Sequence, residues 1–233
     1  DHYALDARWE ARLRHSARKT LVIDDIADRR HDCDMLLDQN FYEDMDARYA
    51  GKVPDECLLL LGPRYALLRE EFRTLRERVS PRRGSVKRIL IFFGGVDADN
   101  HTGLAIQALV ETGVAGLQVD VVIGAQHPWR ESIEAACRLH HLACHVQIGH
   151  MAELMAAADL SIGAGGTATW ERCCLGLPAM AINTADNQRK QIQDAALEGL
   201  LYSVVESGDI QLAIRHHARS LMENECLRQL LSR

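Results

Sequence analysis

From Arg88 onward, short apolar runs alternate with helix-like stretches, and this alternation constrains the fold more than any other feature of the chain. Arg88-Ile-Leu-Ile-Phe-Phe93 reads as a strand running into Gly94-Gly95, and a helix follows from about Asn100 to Gly113. The same unit recurs as Leu117 to Ile123 with a helix over Trp129 to His141, and as Cys144 to Ile148 with Met151 to Ala157. Ala158 to Ile162 then precedes a helix over Thr167 to Leu175, and Ala179 to Ile182 precedes one from about Asn187 to Glu198. Val204-Val205 suggest a last strand, and Ile210 to Leu231 a closing helical region. Strands that are apolar throughout and separated by helices predict a parallel sheet covered on both faces, an α/β fold. In such sheets ligands bind beyond the carboxyl ends of the strands.

The first eighty residues carry a less regular version of this pattern. Leu5, Trp9, Leu13 and Ala17 are spaced by four, which predicts a helix over Leu5 to Lys19 with one apolar face. Thr20-Leu-Val-Ile-Asp24 reads as a strand ending in Asp24-Asp25. Cys33 to Leu37 reads as a second, closed by Asp38-Gln39-Asn40, and Cys57 to Leu61 as a third before Gly62-Pro63. Tyr65 to Val79 then reads as helix. Ser80-Pro-Arg-Arg-Gly-Ser85 has turn residues and charge without an apolar anchor. We therefore expect one domain over 1–80, a linker over 81–85 and a second domain over 86–233, whose last helix could pack back on the first. Asp1-His-Tyr-Ala-Leu-Asp6 looks like the polar end of a strand whose apolar body is absent, so the N-terminal domain is expected to be incomplete.

Gly163-Ala-Gly-Gly-Thr-Ala-Thr-Trp-Glu171 lies between an expected strand and an expected helix. Glycines there let the backbone approach a ligand, and the leading N–H groups of the helix favour an anion, most often a phosphate. Glu171 lies one turn inside, placed to hold a ribose hydroxyl. The alternative is a tight turn whose glycines serve packing. Gly163, Gly165 and Ala168 also fit the dinucleotide fingerprint, with Asp186 near the position of a ribose-binding acid. Against a nicotinamide or flavin site, Gly176 and Pro178 stop the helix early, and the motif lies late in its domain. Gly94-Gly95 with Asp97 and Asn100, Gly163 to Thr167, and Asn187-Gln188 all follow strands, so one crevice of a parallel sheet would collect them.

With 47% apolar residues, 26% charged residues and a net charge of -6, the composition is that of a globular protein with no electrostatic footprint for nucleic acid. No apolar run approaches the ~20 residues of a membrane span. The 7 cysteines include no C-x-x-C pair, and Cys173-Cys174 are adjacent, which predicts free thiols in a reducing cytoplasm rather than a disulfide framework or zinc site. His140, His141, His145 and His150 lack the helical i, i+4 spacing of a metal pair, since His141 ends one expected helix and His145 lies in an expected strand, so no metal site is expected. No G-x-S-x-G elbow occurs.

His150-Met-Ala-Glu-Leu-Met-Ala-Ala-Ala-Asp-Leu-Ser-Ile-Gly-Ala-Gly-Gly-Thr-Ala-Thr-Trp-Glu171, with Gly176-Leu-Pro178 and Asn187-Gln188, resembles the nucleotide-binding half of GT-B glycosyltransferases of the MurG group. Val22-Ile-Asp-Asp-Ile-Ala-Asp-Arg29, His31 to Asn40, Gly62-Pro-Arg-Tyr-Ala-Leu-Leu-Arg69 and Phe92-Phe-Gly-Gly-Val-Asp97 narrow the likeness to the PseG family. These are UDP-2,4-diacetamido-2,4,6-trideoxy-β-L-altropyranose hydrolases of pseudaminic acid biosynthesis. The resemblance implies a GT-B type fold of two Rossmann-like domains, a UDP-sugar substrate, water as acceptor and no cofactor or metal. It further implies a monomer without a nucleic-acid or membrane partner. By that analogy Gly165, Gly166 and Thr167 would hold the diphosphate and Glu171 the ribose, while backbone near Ile148 and Met151 would hold the uracil. Gly94 and Gly95 would face sugar or phosphate, and Asn187 and Gln188 would reach the sugar. Asn187 and Tyr3 are the catalytic candidates that the resemblance leaves within the chain. The family's histidine loop, G-x-G-H-x-x-R, has no counterpart among these residues and is expected to precede Asp1, which would leave the chain poorly active alone. A MurG-like glycosyltransferase and a non-catalytic UDP-binding module are the alternatives.

Overall fold

A computed structural model describes residues 3–204 and 208–232, and the chain divides into two compact units, Asp1–Leu67 and Leu68–Arg233. Val205, expected in the last strand, lies outside the described residues.

In the first unit, helix α1 (Ala7–Leu13) is capped by the Asp6 carboxylate, which accepts from the backbone N–H groups of Arg8 and Trp9. Strands β1 (Leu21–Ile23), β2 (Met35–Asp38) and β3 (Leu58–Leu61) form a parallel sheet in that order. Val22, Cys33, Leu36 and Tyr49 make its core. The α-helix is shorter than the spacing of Leu5, Trp9, Leu13 and Ala17 predicts, giving way to a 3-10 turn at Arg14–Ser16. Its inward residue is Glu10, whose Oε1 lies 2.7 Å from His31 Nδ1 and whose Oε2 accepts from Asp32 N–H, while Trp9 and Leu13 are exposed. A buried carboxylate–imidazole contact, not an apolar stripe, anchors this helix. Leu21 and Leu58, on the outer strands, stand about half exposed.

The second unit starts with α2 (Glu70–Arg76) and continues β4 (Arg88–Phe92), α3 (His101–Glu111), β5 (Gln118–Ile123), α4 (Arg130–Leu139) and β6 (Ala143–Val146). Then follow α5 (Met151–Ala157), β7 (Leu160–Ala164), α6 (Thr167–Cys174), β8 (Ala179–Ile182), α7 (Arg189–Leu197), β9 (Tyr202–Val204), α8 (Ile210–Glu223) and α9 (Glu225–Leu231). All six strands are parallel, in the order β6-β5-β4-β7-β8-β9. Counted from β4 this is 3-2-1-4-5-6, the dinucleotide-binding order, and it reverses between β4 and β7. Alternate residues feed opposite faces. Ile89, Ile91, Val121 and Ile162 pack with Ile106 and Leu109 of α3 and Ile214 of α8, whereas Leu90 and Val122 pack with Met155, Leu175 and Phe72.

Three expectations change here. The compact units part at Leu67 and Leu68, not at 81–85, because the fully buried Phe72 ties α2 into the second core. Segment 81–85 is also anchored. Arg82 donates to the carbonyls of Leu175, Met155, Ala156 and Ala158, and Arg228 donates to that of Gly84. Strand β7 also runs past Ile162 to Ala164. Gly163 pairs with Phe92 in register, and a Cβ on it would meet the Phe92 carbonyl at 2.0 Å.

Candidate functional site

The carboxyl ends of β4, β7 and β8 carry three loops. The turn between β7 and α6 is Gly165-Gly166. Gly166 has φ +84°, which L side chains rarely adopt, and no side chain caps α6, so its leading N–H groups are free of a protein acceptor of that kind. A Cβ on Gly165 would come within 2.7 Å of Ile192 on α7, and one on Gly166 within 3.3 Å of Gln188 Nε2. Gln188 therefore lies against the glycine turn, with its Oε1 3.5 Å from Thr184 Oγ1. These contacts make packing one reason for the two glycines. Thr167 opens α6 and is exposed. Asn187, beside Gln188 in a 3-10 turn (Asp186–Gln188), is exposed.

One helical turn further, Glu171 is largely covered. Burial raises its pKa, and the Arg69 guanidinium opposes this, with Nη2 3.4 Å from Glu171 Oε1. Arg69 also pairs with Glu71 at 2.9 Å. Arg172, the next residue, is fully buried. Its side chain runs back along α6, Nε donating to the Ala168 carbonyl at 2.9 Å and Nη2 to that of Ala164. Burial lowers its pKa to about 10, so it remains cationic at neutral pH.

After β4, Gly94 (φ +96°) and Gly95 lead to Asp97. Asp97 accepts from the backbone N–H groups of His101 and Thr102 at 3.0 and 2.7 Å, and its Oδ1 lies 3.2 Å from His101 Nδ1. Burial alone would raise the Asp97 pKa; these hydrogen bonds overcome it and hold it at about 2. His127, after β5, places Nε2 3.8 Å from Asp97 Oδ2. Asp97 is thus spent on shaping its loop. A cavity of about 320 Å³ opens nearby, lined by Asp99, His101, Asn183, Thr184, Ala185, Arg189 and Ile210.

Ile148 and Met151 follow β6, two strands from β4. The Met151 side chain belongs to the core, which leaves its backbone for any recognition. Tyr3 lies in the first unit, about 60% exposed, its phenol hydrogen-bonded to Asp25 and its pKa raised chiefly by that carboxylate's charge. Asp24, Asp25 and Asp38 crowd the carboxyl ends of β1 and β2. The Tyr49 hydroxyl contacts Asp38 Oδ2 at 3.0 Å and Asp24 Oδ2 at 3.2 Å. Burial pushes Asp38 up to about 6. Asp24 is held at about 2, where hydrogen bonds from His31 and Ala27 and the charge of Arg29 outweigh burial.

The structure thus brings Gly165, Gly166, Thr167, Glu171 and Gln188 together, and Arg69 and Arg172 join as residues the sequence did not single out; His127 stands instead with Asp97. The Asp97-x-x-x-His101 spacing was the one visible signal for the histidine pair. Burial raises the Cys173 thiol to about 11, and all seven cysteines are free, with Cys226 exposed. His145 pairs with Asp120 at 2.8 Å, and His217 bonds to the Tyr202 hydroxyl at 2.7 Å. Among the described residues no group of three or more His, Cys, Asp or Glu could hold a metal, and no helix is long and apolar enough to cross a membrane.

No protein-family model matches the chain. It is 27% identical over 146 residues to an uncharacterized protein of Methanocaldococcus jannaschii, covering 60% of the chain and 30% of that protein. It is 25% identical over 201 residues to the UDP-2,4-diacetamido-2,4,6-trideoxy-beta-L-altropyranose hydrolase of Campylobacter jejuni, covering 85% of the chain and 70% of the hydrolase. The spore coat polysaccharide biosynthesis protein SpsG of Bacillus subtilis is 25% identical over 156 residues, covering 66% of the chain and 46% of that protein. Among solved structures, MurG of Acinetobacter baumannii superposes with a TM-score of 0.58 at 16% identity, over 97% of this chain and 65% of its own. The fold is α/β of the GT-B type. The chain spans less than two thirds of the length of several of these proteins.

Proposed function

We propose that this chain binds a UDP-sugar at the β4–β7 reversal and that the protein hydrolyses it, releasing UDP and the free 2,4-diacetamido-2,4,6-trideoxy sugar. One observation carries the reading: the 201-residue span over which the chain is 25% identical to the Campylobacter hydrolase runs through the glycine turn, Glu171 and Gln188, which the fold gathers at the carboxyl edge of one sheet. In this reading the free N–H groups of α6 meet the diphosphate and Glu171 accepts from the ribose hydroxyls. Backbone near Ile148 and Met151 faces the uracil, Gly94 and Gly95 border the sugar, and Asn187 and Gln188 contact it. Tyr3, beside Asp25, is the candidate from the first unit for chemistry at the sugar. Residues 68–233 form the nucleotide-binding domain, and the first unit contributes to catalysis.

Likeness to MurG over nearly the whole chain favours a second reading, transfer of the sugar to an acceptor other than water. Calorimetric titration with UDP, ADP and GDP, followed by an assay for UDP release from the UDP-sugar without added acceptor, separates these. The proposal expects selective UDP binding and acceptor-independent release by the protein. Release that depends on an added acceptor alcohol would favour transfer, and tight UDP binding without any turnover would favour a binding module.

A further inference from the structure

We propose that the buried guanidinium of Arg172 supplies the positive field of the Gly165-Gly166 turn, and that a bound diphosphate is the counter-ion this cation lacks. The proposal rests on the UDP reading above and adds a positioning residue to it. Three observations support it. Arg172 is 2% exposed and makes no ion pair among the described residues, since its neighbour Glu171 faces Arg69. Its Nη1 has no hydrogen-bond partner and lies 3.5 Å from where a Cβ on Gly163 would stand, at the end of β7. Its other donors go to Ala164 and Ala168, so the charge sits at the amino end of its own eight-residue helix.

Two other covered arginines of the second unit show why that position is unusual. Arg82 donates to Met155 and Ala156 at the carboxyl end of α5 and to Leu175 at that of α6. Arg228 donates to Leu221 and Met222 in the last turn of α8. Both cations lie where the helix dipole is negative and orphan carbonyls need donors. Arg172 lies at the positive end, where a buried cation is disfavoured unless an anion completes it. The free N–H groups of α6 open onto the same place. The buried guanidinium acts on a phosphate through the turn, without touching it, and its contribution is to charge rather than to base or sugar recognition.

A purely structural role, stapling the carbonyls of Ala164 and Ala168, gives a different outcome. The chain and its Arg172→Lys and Arg172→Met variants are titrated with UDP, UMP, uridine and inorganic pyrophosphate. We expect wild type to prefer UDP over uridine. Arg172→Met should lose roughly tenfold or more of that preference at unchanged uridine affinity, whereas Arg172→Lys keeps most of it. An unchanged UDP-to-uridine ratio in folded Arg172→Met overturns the proposal. Should that variant fail to fold, guanidinium nitrogen NMR of the wild type decides. The Arg172 signal should move with UDP and UMP and stay still with uridine; equal movement with all three, or none, overturns the inference. Pyrophosphate binding that Arg172→Met abolishes, in a chain with no uridine affinity, supports the Arg172 role while sinking the UDP reading. No binding of any of the four ligands overturns both.

Discussion

Replacing Asp97 by Asn removes the acceptor that holds the loop after β4, and the structure sets the size of the loss. Asp97 receives the N–H groups of His101 and Thr102 on different oxygens, with His101 Nδ1 beside the first. Asn keeps one of these oxygens and turns an amide N–H toward the other donor. The hydrogen bonds hold the carboxyl at about 2 against an ordinary 3.8. At about 1.4 kcal/mol per pH unit this is worth about 2 kcal/mol of stability at neutral pH. The folded-state pKa is depressed, so the contribution is complete above the unfolded value and is lost as pH falls through the folded one. Denaturant unfolding of wild type and Asp97→Asn should therefore differ by about 2 kcal/mol from pH 7 down to about 5. The gap should shrink below about 4 and close near 2. Trp129, whose Nε1 donates to the Ala98 carbonyl, reports on this loop by fluorescence. A gap under about 0.5 kcal/mol at pH 7, within the range of ordinary surface substitutions, would refute the assignment. A full gap persisting at about pH 2 would refute the electrostatic cause.

Asp38 behaves in the opposite sense. Burial raises its pKa to about 6, so stability is lost as pH rises from about 4 through 6, and Asp38→Asn should gain up to about 3 kcal/mol at pH 8 and nothing below pH 4. Unfolding curves at the two pH values check it, and a loss at pH 8 would contradict it. Phe72→Ala should cost about 3–5 kcal/mol and lower amide protection in β4, α5 and α6 while sparing β1 to β3; loss in β1 to β3 instead would argue against the division at Leu67. Glu171→Gln should weaken UDP roughly tenfold in calorimetry by removing a charged acceptor for the ribose, and unchanged affinity would remove Glu171 from the proposed site.

The sheet of the second unit was legible because both of its faces are covered. A strand buried on both faces must be apolar at consecutive positions, as Ile89-Leu90-Ile91 and Val121-Val122-Ile123 are, and this leaves an unambiguous run in the sequence. Helix α1 misled for a related reason. Trp9 and Leu13 mimic an apolar face by spacing, but burial falls on Glu10, whose partner His31 is twenty-one residues away. Spacing cannot report a contact with a distant residue. The turn was legible by residue type, since φ +84° at Gly166 leaves glycine as the favoured residue. Arg172 was not. A charged residue beside Glu171 on a short helix reads as solvated, and only the packing of α6 against the sheet shows it enclosed. The boundary at Leu67 was hidden likewise, because a Pro- and Gly-containing stretch looks free until Arg82 is seen bonded to four carbonyls.

Charge separates the carboxyl edges of the two sheets. At the first, Asp24, Asp25 and Asp38 stand together, and the nearby cations are engaged with them: Arg29 Nη2 lies 2.9 Å from Asp24 Oδ1, and Arg48 Nη2 donates to the Asp25 carbonyl at 2.8 Å. An approaching phosphate meets carboxylates there and is repelled. At the second, Asp97 is consumed by backbone N–H groups, Glu171 is opposed by Arg69, and Arg172 has no carboxylate partner. The free N–H groups of α6 add to that positive field rather than offsetting it. A glycine turn on the first sheet would accordingly make a poor phosphate site, and the same turn on the second a good one. The motif alone cannot distinguish these cases, because what decides them is the charge buried behind it.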